Sequence, residues 1–200
     1  LDTVSFGVQI PDLSIGRTGP GGATWALTRP TPGAPNIAQP FGDPYGLRIN
    51  EWLATAEVRL ENDFVELYNS DSLPVYLGGL TLTDEPQADP GRHVIAPLSF
   101  IAGSGFAVFD AVGEADPTDA RALSFKLAAL HEWIGLNDEN LYPIDLVNFQ
   151  CEVTDISAGR MPDGGFAIGE LLLPTPGTEN ATPTIQTVVT TLVELPAIWA

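Results

Sequence analysis

Ser157, Gly159 and Arg160, in the stretch Asp155-Ile156-Ser157-Ala158-Gly159-Arg160, combine a hydroxyl nucleophile with a guanidinium able to clamp an anion. A serine nucleophile needs a base that is itself held by a third group. The two histidines, His93 and His131, stand in no recognisable arrangement with it. The structural reading is stronger: Asp155 and Ser157 cap backbone donors in a turn, and the Arg160 fork pairs with an inward carboxylate. Glu51 and Glu66 are the expected partners, at least one of them within salt-bridge distance.

Carboxylate clusters raise the question of calcium, which takes about six to eight oxygen ligands. Asp138, Glu139 and Asn140 share one turn with Asp145 close behind, and Asp84, Glu85 and Asp89 share a loop. Neither follows an EF-hand pattern. Asp138, Glu139 and Asp145 are weak calcium candidates, solvated acidic loops are the expectation, and no other cofactor is implied. His93 and His131 lack Cys or His neighbours at zinc spacing. Trp25, Trp52, Trp133 and Trp199 read as core or strand-cap residues before a glycan platform. Cys151 is the single cysteine, so no intrachain disulfide forms, and its apolar setting suggests a small buried hydrophobe.

The stretch around Ser157 occurs twice. Asp12-Leu13-Ser14-Ile15-Gly16-Arg17 leads to Pro30-Thr31-Pro32-Gly33-Ala34-Pro35-Asn36, and Asp155 to Arg160 leads to Pro174-Thr175-Pro176-Gly177-Thr178-Glu179-Asn180. Asp2-Thr3-Val4-Ser5-Phe6 likewise matches Asp145-Leu146-Val147-Asn148-Phe149, so about 36 residues recur at an offset of 143 to 144. A period this long marks domains in series, since solenoid units run about 20 to 50 residues. The expected division is residues 1–36 as the closing part of a preceding repeat, 37–45 as linker, 46–180 as one complete domain, and 181–200 as linker and the start of a further segment. The first residue is not Met, and the chain reads as a piece of a longer polypeptide.

A net charge of −18, with Lys126 the only lysine against seven arginines, disfavours DNA, RNA or anionic lipid as partners. Acidity with lysine depletion fits salty water, where charges are screened, hence a marine or halophilic source. No apolar run approaches the roughly 20 residues of a membrane helix, so no membrane insertion is expected.

Turn-punctuated alternation supplies the elements that must position these groups. Residues 1–10 read as a strand, the polar segment to Gly22 as loop, and Trp25 to Leu27 as a strand stopped by Pro30. Further strands are expected around 47–52, 64–69, 75–77, 80–84, 93–95, 100–101, 106–109 and 166–168. Residues 132–136 and 144–149 form a hairpin, with a bulge where apolar parity changes at Leu146 and Val147. Ala122 to Leu130 is short for a helix. The pattern points to an all-β, immunoglobulin-like antiparallel β-sandwich with Greek-key connections, a partly closed barrel being the alternative.

Read in order, Ile49-Asn50-Glu51, Val65-Glu66-Leu67-Tyr68-Asn69, Leu77-Gly78-Gly79-Leu80-Thr81-Leu82-Thr83-Asp84, Ile144-Asp145-Leu146-Val147 and Ser157-Ala158-Gly159-Arg160-Met161-Pro162-Asp163-Gly164 resemble the lamin-tail domain. The closing Pro174-Thr175-Pro176-Gly177 with Asn180 is similar to the ending of its prokaryotic branch. That resemblance implies an extracellular or envelope module in multidomain proteins, with no activity of its own. It marks Asn50, Glu51, Glu66, Asn69, Asp84, Asp145, Ser157, Gly159, Arg160, Pro174 and Gly177 as structural motif residues. The chain has no heptad rod, so lamin-like filaments are not implied.

The expected function is therefore a non-catalytic structural and interaction module, one repeat of a tandem array. An accessory domain of an extracellular hydrolase of nuclease or phosphatase type, with its catalytic part elsewhere, is the alternative. Protein partners or self-association through open β-edges follow, because an incomplete sandwich exposes edges that recruit strands. Residues 1–36 are expected to be completed by inter-domain or inter-chain pairing.

Overall fold

The computed structural model describes residues 2–150 and 153–181 of the chain. Its strands are β1 (Ser14–Thr18), β2 (Thr24–Arg29), β3 (Ile37–Ala38), β4 (Leu47–Leu53), β5 (Phe64–Asn69), β6 (Val75–Tyr76) and β7 (Thr81–Thr83). They continue with β8 (His93–Val94), β9 (Phe100–Ile101), β10 (Phe106–Asp110), β11 (His131–Asn137), β12 (Pro143–Gln150), β13 (Ser157–Arg160) and β14 (Ile168–Leu171). The only helical turns among the described residues are the two short 3-10 turns Pro20–Gly22 and Pro44–Gly46.

All these strands pair antiparallel, and the sheets form a sandwich, not a barrel. One sheet runs β10-β5-β4-β13-β14 and faces a second, β12-β11-β7-β8, with the small pair β6-β9 beside them. Between them lie Ile49, Trp52, Val65, Leu67, Leu82, Phe109, Phe125, Ile134 and Leu136, all essentially without solvent exposure. Burying side chains of this size contributes roughly 1.5–3 kcal/mol each. β5 and β7 are buried along nearly their whole length, so neither presents a solvent face.

A separate sheet, β1-β2-β3, holds the N-terminal segment. Residues 2–10 form no strand of their own, contrary to the reading above. Instead the backbone of Gly7 and Val8 bonds to residues 97–100 (Gly7 N to Pro97 O 3.1 Å, Phe100 N to Val8 O 2.8 Å), and Val8 joins the main core. The segment read as loop contains β1, whose polar residues are ordered by pairing: Ser14 opposite Thr28, Arg17 opposite Trp25.

Other differences are local. The bulge in the β11–β12 hairpin falls between Leu136 and Asn137, next to the turn, not at Leu146 and Val147. Phe166 lies outside β14 and is 98% exposed. Residues 122–130 form no helix. Ile37 and Ala38, expected as linker, extend the N-terminal sheet by pairing with Arg29 and Thr28. Cys151, Trp199 and the apolar residues after Thr182 lie outside the described residues.

Candidate functional site

In β4 and β5, Ile49 faces Leu67 while Glu51 faces Glu66, so Asn50 is the extra residue of a bulge. A bulge redirects side chains, and here it sends Asn50, Glu51 and Glu66 into the interior, each with 0% exposure. Burying such groups is costly unless they are hydrogen-bonded. The closing segment, residues 157–180, supplies most of those bonds.

Glu51 accepts from Ser157 Oγ (2.5 Å), the Thr175 backbone N (2.9 Å) and Thr175 Oγ1 (2.8 Å). Glu66 accepts from Asn50 Nδ2 (3.0 Å) and the Gly177 N (2.6 Å). Asn50 also donates to Asp163 Oδ1 (2.9 Å) and accepts from Gly164 N (3.0 Å). Asn180 Nδ2 reaches Asn50 O (3.2 Å) and Arg160 O (2.9 Å). Gly159 lets Asn180 come this close, since a Cβ there would sit 2.6 Å from Asn180 Nδ2.

Arg160 closes the other side. Its Nε donates to Ile49 O (2.8 Å), Nη1 to Gly165 O (2.7 Å), and Nη2 to Asp145 (3.0 and 3.1 Å). Asp145 in turn accepts from Ile49 N (2.8 Å). The partner of Arg160 is therefore Asp145, and the expected ion pair with Glu51 or Glu66 is not formed. Those two carboxyls point inward as expected, but hydroxyl, amide and backbone donors satisfy them.

Burial pushes the Glu66 carboxyl up to about 8, against its Asn50 and Gly177 donors, with the Glu51 and Asp163 charges adding to the rise. Burial raises Glu51 too, opposed by the Ser157 and Thr175 donors. Two facing carboxyls with raised pKa are what acid–base chemistry uses. Here all four carboxyl oxygens are taken by the chain itself, and the arrangement acts as a polar latch fastening residues 157–180 to β4 and β5.

The remaining expected residues are dispersed. Asp155 does not cap its own turn; its carboxylate accepts from the backbone N of Glu57, Val58 and Arg59, which holds its pKa low. Asn69 donates to Leu73 O and Ala102 O, and Asp84 meets Arg92 at 2.7 Å. Pro174 stands just ahead of the Thr175 contact. His93 is buried, its Nδ1 accepts from Ser124 N (3.2 Å), and burial lowers its pKa; His131 lies beside Asn148. Trp52 packs on Phe149 with ring centroids 5.9 Å apart.

Asp138 caps Asn140 N and Tyr142 N and accepts from Tyr45 Oη (2.7 Å), while Glu139 is exposed and Asp145 belongs to Arg160. No group of three or more His, Cys, Asp or Glu among the described residues is placed to hold a metal ion. Thr175 and Asp163 carry weight that their residue types did not announce; the recurrence of Thr31 and Thr175 was the available signal for the first.

The N-terminal segment repeats this geometry in part. Arg17 Nη2 pairs with Asp2 (2.7 Å), Nη1 donates to Gly22 O (3.0 Å), and Asn36 Nδ2 donates to Arg17 O (2.9 Å). Each bond has its counterpart 143 or 144 residues on. Asp12 and Asp155 share a left-handed backbone (φ 61° and 57°), as do Gly33 and Gly177 (75° and 83°).

No family model, no curated protein and no solved structure matches this chain.

Proposed function

We propose that this chain is a non-catalytic structural and interaction module, one repeat of a tandem array of immunoglobulin-like, lamin-tail-type sandwiches in a secreted or cell-surface protein. The observation that carries it is that one hydrogen-bonded closing hairpin is built twice, on Arg17 and on Arg160, and that the groups able to do chemistry in the second are spent on holding it shut. Glu51, Glu66, Ser157 and Arg160 each bond to neighbouring strands and turns. The charge of −18 supports work in saline surroundings away from nucleic acid.

Incubation with phosphodiester, phosphomonoester and ester substrates tests this. No turnover above the blank is expected. Turnover that Ser157→Ala or Glu66→Gln abolishes overturns the reading.

A further inference from the structure

β13 has a neighbour on each side, β14 and β4, whereas β1 has only β2 among the described residues. β1 and β2 match β13 and β14 residue for residue: Gly16 faces Ala26 as Gly159 faces Gly169, and Arg17 faces Trp25 as Arg160 faces Ile168. Among the described residues, the side of β1 that corresponds to the β4 side of β13 is therefore an open strand edge. The contacts missing from the first copy are those that β4 and β5 make with the second. Arg160 Nε donates to Ile49 O, Thr175 N to Glu51, and Gly177 N to Glu66. The matching donors, Arg17 Nε, Thr31 N and Gly33 N, have no acceptor among the described residues.

Side chains report the same vacancy. Phe149 is 6% exposed against Trp52, while its counterpart Phe6 is 58% exposed. The Arg160–Asp145 side chains are 8% and 13% exposed, and Arg17–Asp2 are 38% and 68%.

We propose that the free edge of β1, with the turn at residues 31–36, is a docking site for an antiparallel strand pair carrying Ile-Asn-Glu on one strand and Val-Glu on its neighbour. This deepens the module reading and rests on it. The chemistry of the occupant is set by the second copy: a bulged Asn-Glu strand brings one carboxylate to Thr31, and the adjacent strand brings a second to the Gly33 N–H. It comes from a module that lacks its own closing hairpin. A second intact copy of this chain does not qualify, because its β4 is already paired with its own β13.

Placing an additional copy of residues 46–143 ahead of Leu1 tests this, because Leu1 then falls where Ile144 falls. In that fusion, amide exchange at residues 14–18 and 31–36 slows by at least about tenfold relative to the parent chain. Glu51→Gln with Glu66→Gln, made only in the added copy, returns most of that protection at residues 31–36. A tandem with residues 46–180 in front shows that the added residues fold there when closed by their own hairpin. Protection in the tandem's front copy, with unchanged exchange at 14–36 in the fusion, overturns the proposal. So does a parent chain that self-associates through β1. Substrate turnover would overturn the non-catalytic reading and leave this exchange pattern as it stands.

Discussion

The hairpins β1–β2 and β13–β14, each followed by its Pro-Thr-Pro-Gly turn, repeat one arrangement in different surroundings. Both hold an arginine by an aspartate 15 residues before it and by a glycine carbonyl five residues after it, and both place an asparagine against the arginine's own carbonyl. One lies on β4 and β5 and is buried; the other stands at an edge. The hairpin, its turn and its ion pair thus form without β4 and β5 beside them. What the sandwich adds is desolvation and carboxylate acceptors, which turn a surface arrangement into a latch.

The largest expected difference between the two is at the arginines. Arg160→Ala leaves Asp145 and the Ile49 carbonyl without their guanidinium partner in a buried setting, a loss of about 3–5 kcal/mol. Arg17→Ala removes an exposed pair worth no more than about 1 kcal/mol. Chemical denaturation of the two variants measures both. Equal costs would mean that burial does not separate the copies.

The next effect is one of pH. Glu66 titrates near 8 in the folded chain against an ordinary value of 4.5, so between those values the native state binds a proton that the unfolded state has released. Stability from this group is complete below about pH 4.5 and falls as pH rises through 8, by a total on the order of 4–5 kcal/mol. Glu51 acts in the same direction. His93, with its pKa lowered by burial, acts oppositely, its contribution being lost as pH falls below the ordinary 6.5. The comparison of wild type with Glu66→Gln isolates the glutamate. The variant carries a constant cost, because its amide nitrogen faces a donor, but its stability loses the slope between pH 6.5 and 8. A parallel pH profile for the two proteins would sink the assignment. The first hairpin has no such carboxylate, so local opening of residues 31–36, corrected for intrinsic exchange, carries no corresponding slope.

How much of this could be read beforehand follows from the range of the interactions. The strands at 47–53, 64–69, 106–110 and 131–137 were legible because apolar alternation is local and each has a turn at its end. β1 was not, since Ser14, Arg17 and Thr18 carry no strand signal and take their conformation from residues 24–28. The inward direction of Glu51 and Glu66 was legible from their place among apolar strand residues. The partner of Arg160 was not, because the Asn50 bulge shifts β4 by one residue and gives Glu51 to Ser157 and Thr175. The recurring Asp2 and Asp145 held the correct answer, as both repeats pair that aspartate with the arginine.

Smaller effects sharpen the contrast at the serines. Ser157→Ala removes a donor from the buried Glu51 and costs about 1–3 kcal/mol. Ser14 bonds only across to Thr28 at a partly exposed position, and Ser14→Ala costs about 0.5–1 kcal/mol. Thermal denaturation at pH 7 distinguishes them, and a larger loss for Ser14→Ala would contradict the equivalence of the two turns.

The glycines of the two Pro-Thr-Pro-Gly turns supply the one substitution at which the copies should agree. Gly33 and Gly177 both have φ near +80° (75° and 83°), and neither would bring an added Cβ within 4 Å of another group. Alanine therefore meets no clash at either site and incurs only the left-handed backbone penalty, about 1–2 kcal/mol. The cost is intrinsic to the backbone and owes nothing to the sandwich, so it is the same in both. Its visibility differs. Gly177→Ala strains a turn whose amide is bonded to Glu66, and the loss appears in global denaturation. Gly33→Ala strains a turn at the edge, so it leaves the global midpoint in place and accelerates amide exchange at residues 31–36 by roughly tenfold. Should both variants shift the global midpoint equally, the N-terminal hairpin unfolds together with the sandwich, and the edge at β1 is less independent than its exposure indicates.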